Sequence, residues 1–115
     1  MYLEEIRDYC LTKNAVTEDM PFDDETLVFK VCGKIFALLS LDGVGGLNLK
    51  CEPVKALELR ERYDFIIPGY HMNKKYWNTV TVTGEITEKQ LKDWIKHSYN
   101  EVMRGISKKR REIFA

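Results

Sequence analysis

The chain is poor in the residues that staple or ligate: three cysteines, two histidines and three prolines among 115 residues. Cys10, Cys32 and Cys51 are odd in number, widely spaced and form no Cys-x-x-Cys pair. That pattern argues against a disulfide framework and a zinc site, and points to a reducing compartment. His71 and His97 have no companions suited to a transition metal. No apolar run approaches the roughly 20 residues that cross a bilayer. The opening residues, Met1-Tyr2-Leu3-Glu4-Glu5-Ile6-Arg7-Asp8, are charged and helix-patterned, unlike a signal peptide. The expectations are a cytoplasmic protein with no membrane partner, no metal and no cofactor.

Net charge is also missing, since 18 Lys and Arg balance 18 Asp and Glu. There is thus no global electrostatic argument for nucleic acid. The charges are unevenly spread, however. Residues 1–50 carry nine acids against five bases, and residues 51–115 carry nine acids against thirteen bases. Such asymmetry permits a basic face opposite an acidic one.

What is present suits one compact domain spanning residues 1–115, with enough apolar residues for a core. Leu3, Ile6, Tyr9 and Cys10 recur at helical spacing. Glu18, Asp19, Asp23, Asp24 and Glu25 crowd around Met20-Pro21-Phe22 without regular ligand spacing, which reads as a solvated acidic connector. Thr26 to Cys32 alternates, Gly33-Lys34 turns, and Ile35 to Leu41 makes a second strand. That strand is apolar on both faces, so it is either covered twice or offers apolar surface to a partner. Asp42 to Gly46 is a glycine-rich turn that joins strands and lacks the Lys-Ser/Thr of a phosphate loop. A third strand follows at Leu47 to Cys51.

Pro53 opens a helix whose apolar side is marked by Val54, Leu57 and Tyr63. Thr79 to Thr83 alternates valine and threonine as a strand, and Thr87-Glu88-Lys89-Gln90 is a capping box for the last long helix. Leu91, Trp94, Ile95, Ser98, Tyr99, Val102, Met103 and Ile106 form its stripe. The tail holds Lys108-Lys109-Arg110-Arg111, then Ile113 and Phe114 as an anchor. The predicted class is α+β, a two-layer α/β sandwich with helices on one face of an antiparallel sheet. The predicted order is α-β-β-β-α-β-β-α, with a short C-terminal helical tail.

The densest stretch runs from Pro68 to Val80, combining a Pro-Gly turn, three aromatics, His71, Lys74 and Lys75. Leu47-Asn48-Leu49-Lys50-Cys51, Leu59-Arg60, Pro68-Gly69-Tyr70-His71-Met72-Asn73-Lys74, Trp77-Asn78-Thr79-Val80, Ser98-Tyr99 and Val102 together resemble the MmcQ/YjbR-like family of small bacterial proteins. The resemblance covers most of the chain. It implies a CyaY-like sandwich, also likened to secretion chaperones, and a double-wing DNA-binding motif in which hairpins act as wings.

A non-enzymatic DNA-binding protein is the resulting expectation. The candidate contacts are Lys30, Lys34, Lys50, Arg60, Arg62, Lys74 and Lys75, with Tyr70 and Tyr76 available to stack. Lysines would meet phosphates without sequence preference, while Asn73 and Asn48 would be the groups able to reach base edges. The bland reading of the same residues is a solvated basic surface around a structural turn, with Trp77 in the core and His71 orienting the turn. A catalytic pairing of Cys51 with His71 is disfavoured, because Cys51 ends a strand as a small core residue. His97 reads as a surface position. The alternative function is a protein-interaction or homodimerising module in which Val28, Phe36 and Leu38 share an open sheet face.

Overall fold

The computed structural model describes residues 2–42, 46–69 and 72–114. Helix α1, Leu3–Leu11, buries Ile6 and Cys10 one turn apart. Four antiparallel strands follow: β1 Val16–Asp19, β2 Thr26–Val31, β3 Lys34–Ser40 and β4 Leu47–Lys50. Helix α2, Pro53–Arg62, leads to β5, Ile66–Pro68, and β6, Trp77–Val80. Helices α3, Glu88–Arg104, and α4, Lys108–Ile113, complete the chain. The sheet has the order β1-β2-β3-β4-β6-β5, with every neighbouring pair antiparallel. The α+β sandwich expected from the sequence is the fold.

Part of the acidic connector is a strand, which the sequence reading did not anticipate. Val16 and Glu18 lie opposite Val31 and Phe29, and the acids of β1 find cations across the surface. Arg7 forks onto Glu18, its Nε donating at 2.7 Å, and Lys30 lies 3.6 Å from Asp19. The remaining acids do form a loop. The Asp23 carboxylate accepts from the amides of Glu25 and Thr26 at 2.9 and 2.7 Å, a local turn that uses its charge. No cluster suited to a metal occurs among the described residues.

The β2–β3 turn consists of Cys32 and Gly33, both left-handed, with φ of 48° and 77°. Two such residues match the twist of a tight hairpin. Downstream, a β-bulge alters the phase. Phe29 pairs with Ala37 but Lys30 pairs with Ile35, so Phe36 is the unopposed residue. Phe36 and Ala37 both therefore turn toward the helices, while Ile35 and Leu38 turn away.

That bulge corrects the expected shared face of Val28, Phe36 and Leu38. Phe36 is fully buried beneath α3, with Tyr99 edge-on at 5.5 Å. Val28 and Leu38 belong to a separate cluster on the helix-free face, where Trp77, Met72 and Tyr76 cover them. Strand β3 is thus covered twice, the first of the two alternatives its composition allowed. The apolar side of α2 also differs from expectation. Val54 and Leu57 are exposed, and Ala56 and Leu59 face the sheet. The Glu52 carboxylate accepts from the amides of Val54 and Lys55, both at 3.0 Å.

The β3–β4 ladder stops at the Ala37–Leu49 pair, and Ser98 of α3 partners the backbone groups just beyond it. Its hydroxyl donates to the Phe36 carbonyl at 2.5 Å and accepts from the Lys50 amide at 2.8 Å. Ser98 is fully buried, so one hydroxyl ties α3 to both β3 and β4. Ser98→Ala should destabilise the fold by about 1–3 kcal/mol, since it leaves a buried donor and a buried acceptor unmet. Urea unfolding should show a lower midpoint at unchanged slope; an unshifted midpoint would contradict this role.

Candidate nucleic-acid interface

With the helices on one face, apolar residues on the other need a different cover. The segment between β5 and β6 provides it. Gly69 donates to the Trp77 carbonyl at 2.8 Å, and a Cβ on Gly69 would lie 2.7 Å from the Trp77 Cβ. Only glycine permits so close an approach. Asn73 then builds a turn: its side chain accepts from the Lys75 amide at 3.0 Å and its carbonyl accepts from the Tyr76 amide at 3.1 Å. The Tyr76 carbonyl in turn accepts from the Cys51 amide at 2.7 Å. Met72 and Tyr76 are thereby laid over Val28, Leu38 and Trp77.

Arg60 secures this segment from beneath. Its Nε donates to Asn78 Oδ1 at 2.6 Å, and its Nη2 donates to the carbonyls of Trp77, at 3.2 Å, and Lys74. Asn78 is buried, and its amide donates on to the Ala56 carbonyl at 3.3 Å. The planar guanidinium fork thus joins α2, β6 and the covering turn. Lys74 is exposed, but its ammonium bends back to donate to the Gly69 carbonyl at 3.2 Å. Arg60 and Lys74 organise the surface more than they offer charge to a ligand.

The other expected contacts divide by place. Lys50 and Lys75 flank Tyr76, their ammonium groups 5.9 and 5.4 Å from the ring centroid. Neither has a carboxylate partner among the described residues. Lys34 is exposed at the β2–β3 hairpin tip, at the same end of the sheet. Lys30 lies there as well, but Asp19 neutralises it. The opposite end of the sheet carries Asp23, Asp24, Glu25 and Asp42. The face is therefore polarised, basic at the Lys34–Lys50–Tyr76 end and acidic at the other.

Arg62 stands apart at the end of α2, 6.0 Å from the Tyr63 ring. Asn48 is occupied by Thr79, whose hydroxyl donates to its side-chain oxygen at 2.5 Å. Tyr70, and the catalytic or turn-orienting roles considered for His71, lie outside the described residues.

His97 is not a free surface residue. It is half-buried, and its Nε2 accepts from the Glu52 amide at 3.2 Å, joining α3 to the start of α2. Burial and the charge of Lys55 push its pKa down, against the upward pull of Glu101 at 4.0 Å. Burial is the largest of these effects, and the neutral ring it favours is the form that can accept this bond. Burial likewise pushes the Cys51 thiol up to about 11, which keeps it protonated and unreactive at neutral pH. Leu49, Leu59, Trp94, Cys51 and His97 line a crevice between α2 and α3 with room for about one water molecule.

Sequence reasoning passed over the basic helix α4 as a site, although its four cations were visible. Nothing in a linear reading shows that it folds back on the Lys34 hairpin. Arg110 Nε donates to the Cys32 carbonyl at 2.7 Å, which brings this helix to the basic end of the sheet.

Fold and surface together define a two-layer sandwich whose helix-free face is closed by its own loop and charged oppositely at its two ends. A family model described as YjbR matches residues 11–101, and the chain belongs to that family. It is 49% identical over 90 residues to the uncharacterised protein YbdF of Escherichia coli O157:H7, covering 77% of this chain and 74% of that protein. With the uncharacterised YjbR of Escherichia coli K12 it shares 25% identity over 114 residues, covering 98% and 97% respectively. A Deinococcus radiodurans protein carrying the DUF419 domain has a crystal structure similar to this fold. The TM-score is 0.87 at 35% identity, covering 97% of this chain and 86% of that one. A Pseudomonas syringae structure matches with a TM-score of 0.74 at 28% identity, over 88% of this chain and 98% of that one.

Arg60→Lys keeps the charge but not the fork, and should cost about 1.5–3 kcal/mol. Amide exchange should accelerate from Met72 to Trp77; wild-type exchange there would sink the assignment. The lowered folded pKa of His97 makes its contribution complete above the unfolded value of about 6.5 and progressively lost as pH falls through the folded value. The chain should thus be less stable at about pH 5 than at about pH 7.5, and His97→Gln should flatten that difference. Equal pH dependence in the two proteins, measured by urea midpoints, would remove His97 as its source.

Proposed function

We propose that this protein is a non-enzymatic DNA-binding protein that meets duplex phosphates with the basic end of its helix-free sheet face. The observation that carries the proposal is the placing of Lys50 and Lys75 against Tyr76, with Lys34 at the hairpin tip of the same sheet end and Asp23, Asp24, Glu25 and Asp42 at the other. Ammonium groups on a rigid sheet end attract a phosphate backbone without reading bases. Tyr76 adds a partly exposed ring at the centre of the patch. The resemblance to a family described by a double-wing motif agrees with the β2–β3 hairpin presenting Lys34 at its tip.

Polarisation suits such binding despite zero net charge. A duplex drawn to the basic end is repelled by the acidic one, so its position on the face is restricted. Among the described residues nearby, Cys51 and His97 are not activated. The Cys51 thiol is pushed up to about 11, and the ring of His97 is engaged with Glu52. The alternative, a protein-binding module using the apolar sheet face, loses its surface, since Met72, Tyr76 and Trp77 already cover Val28 and Leu38.

Three free lysines should give a log–log salt slope of about −3 for a duplex. Lys50→Gln combined with Lys75→Gln should bring that slope to about −1 and weaken binding most at low salt. Fluorescence anisotropy with a labelled duplex of mixed sequence measures both quantities. Absence of binding at low salt would refute the proposal, as would a double variant that binds like the wild type.

A further inference from the structure

We propose that helix α4 is the second half of this surface, with Lys108 and Lys109 gripping phosphates beside the β2–β3 hairpin. The proposal rests on the DNA-binding reading above and enlarges its footprint to a part of the chain that reading does not use. Its first support is positional. Arg110 Nε donates to the Cys32 carbonyl at 2.7 Å, and the Arg110 guanidinium lies 5.7 Å from the Phe114 ring. A Cβ on Gly33 would meet Arg110 Nη2 at 2.7 Å and Phe114 at 3.2 Å, so the helix sits against the turn itself. Lys34 is the next residue, and Ile35 after it packs in the same cluster as Tyr76. Helix α4 thus sits beside the hairpin turn that carries Lys34, at the same end of the sheet as Lys50, Tyr76 and Lys75.

The second support is energetic. A six-residue helix is too short to be stable alone. It is capped by Ser107, whose Oγ accepts from the Arg110 amide at 3.1 Å, and held by Arg110 on the Cys32 carbonyl and by Arg111 Nη2, which donates to the Met103 carbonyl at 2.6 Å. Two of its four cations are therefore structural. Lys108 and Lys109 are not; both are exposed, neither has a carboxylate partner among the described residues, and the first turn contains no acid. Lysines in a first turn oppose the helix dipole and lower helix stability. Helix stability therefore does not account for them, whereas binding a polyanion would turn their charge into a favourable contribution.

The test compares three variants by salt-titrated anisotropy on one mixed-sequence duplex: Lys108→Gln with Lys109→Gln, Lys50→Gln with Lys75→Gln, and, as a charge-matched control on α3, Lys89→Gln with Lys96→Gln. The α4 variant should bind about tenfold more weakly at low salt, with the salt slope reduced by about two, and the control should bind close to wild type. Arg110→Ala, which unlatches the helix, should weaken binding by more than its single charge and increase proteolysis after Ser107. If the Lys50–Lys75 variant loses affinity while the α4 variant matches the control, α4 is overturned and the sheet surface stands. If the wild type does not bind, both fall together.

Discussion

A strand that is apolar on both faces must be covered on both, and the chain has helices for only one. Burying Leu38 and Val28 on the far side requires some other segment to fold over them, because an open apolar strip would remain in contact with water. The turn between β5 and β6 takes that position, and the surrounding structure is organised to hold it there. Gly69 permits close approach to Trp77, Asn73 shapes the turn, and Arg60 anchors its carbonyls to α2 and Asn78. The charged surface follows from the same requirement. Lys75 and Tyr76 come to lie beside Lys50 because Met72 and Tyr76 are needed as a lid.

The helix side meets the complementary problem at the β-bulge. Turning Phe36 into the core goes with the bulge, and Ser98 of α3 bridges Phe36 of β3 and Lys50 of β4 where their ladder ends. The packing of both faces therefore relies on a buried or half-buried polar side chain that reaches out from a helix. Such groups contribute specificity as well as stability, since an alternative register would leave them unsatisfied. Arg60 and Ser98 both reach from the helix layer, one holding the covering turn through a guanidinium fork and the other holding β3 and β4 through a hydroxyl.

The charge distribution has a topological origin too. The two halves of the chain differ in sign, but sequence halves do not correspond to molecular halves. Antiparallel hairpins send the loop after β1 and the turn after β3 to one end, where acids collect. The tips carrying Lys34 and Lys50 go to the other, where α4 joins them through Arg110. A neutral protein thereby acquires a basic end of useful size.

Local patterns determined the helices of the fold, most of the strands and the family, for these depend on neighbours along the chain. The stripe of α3, the capping box at Thr87, the hairpin at Gly33 and the Pro68–Val80 segment were all legible in that way. The sequence also identified the lysines and Tyr76 as residue types able to meet phosphate. What it could not determine were relations between distant residues. The acidic β1 is a strand because β2 pairs with it, and Phe36 faces the helices because a bulge shifts its phase. Arg60 points inward and the exposed Lys74 bends back because carbonyls await them, His97 is held by Glu52, and α4 returns to the hairpin through Arg110. Each of these depends on a partner between five and seventy-eight positions away in the chain. Only the folded chain, by closing those distances, decides which cations hold the structure and which face the solvent.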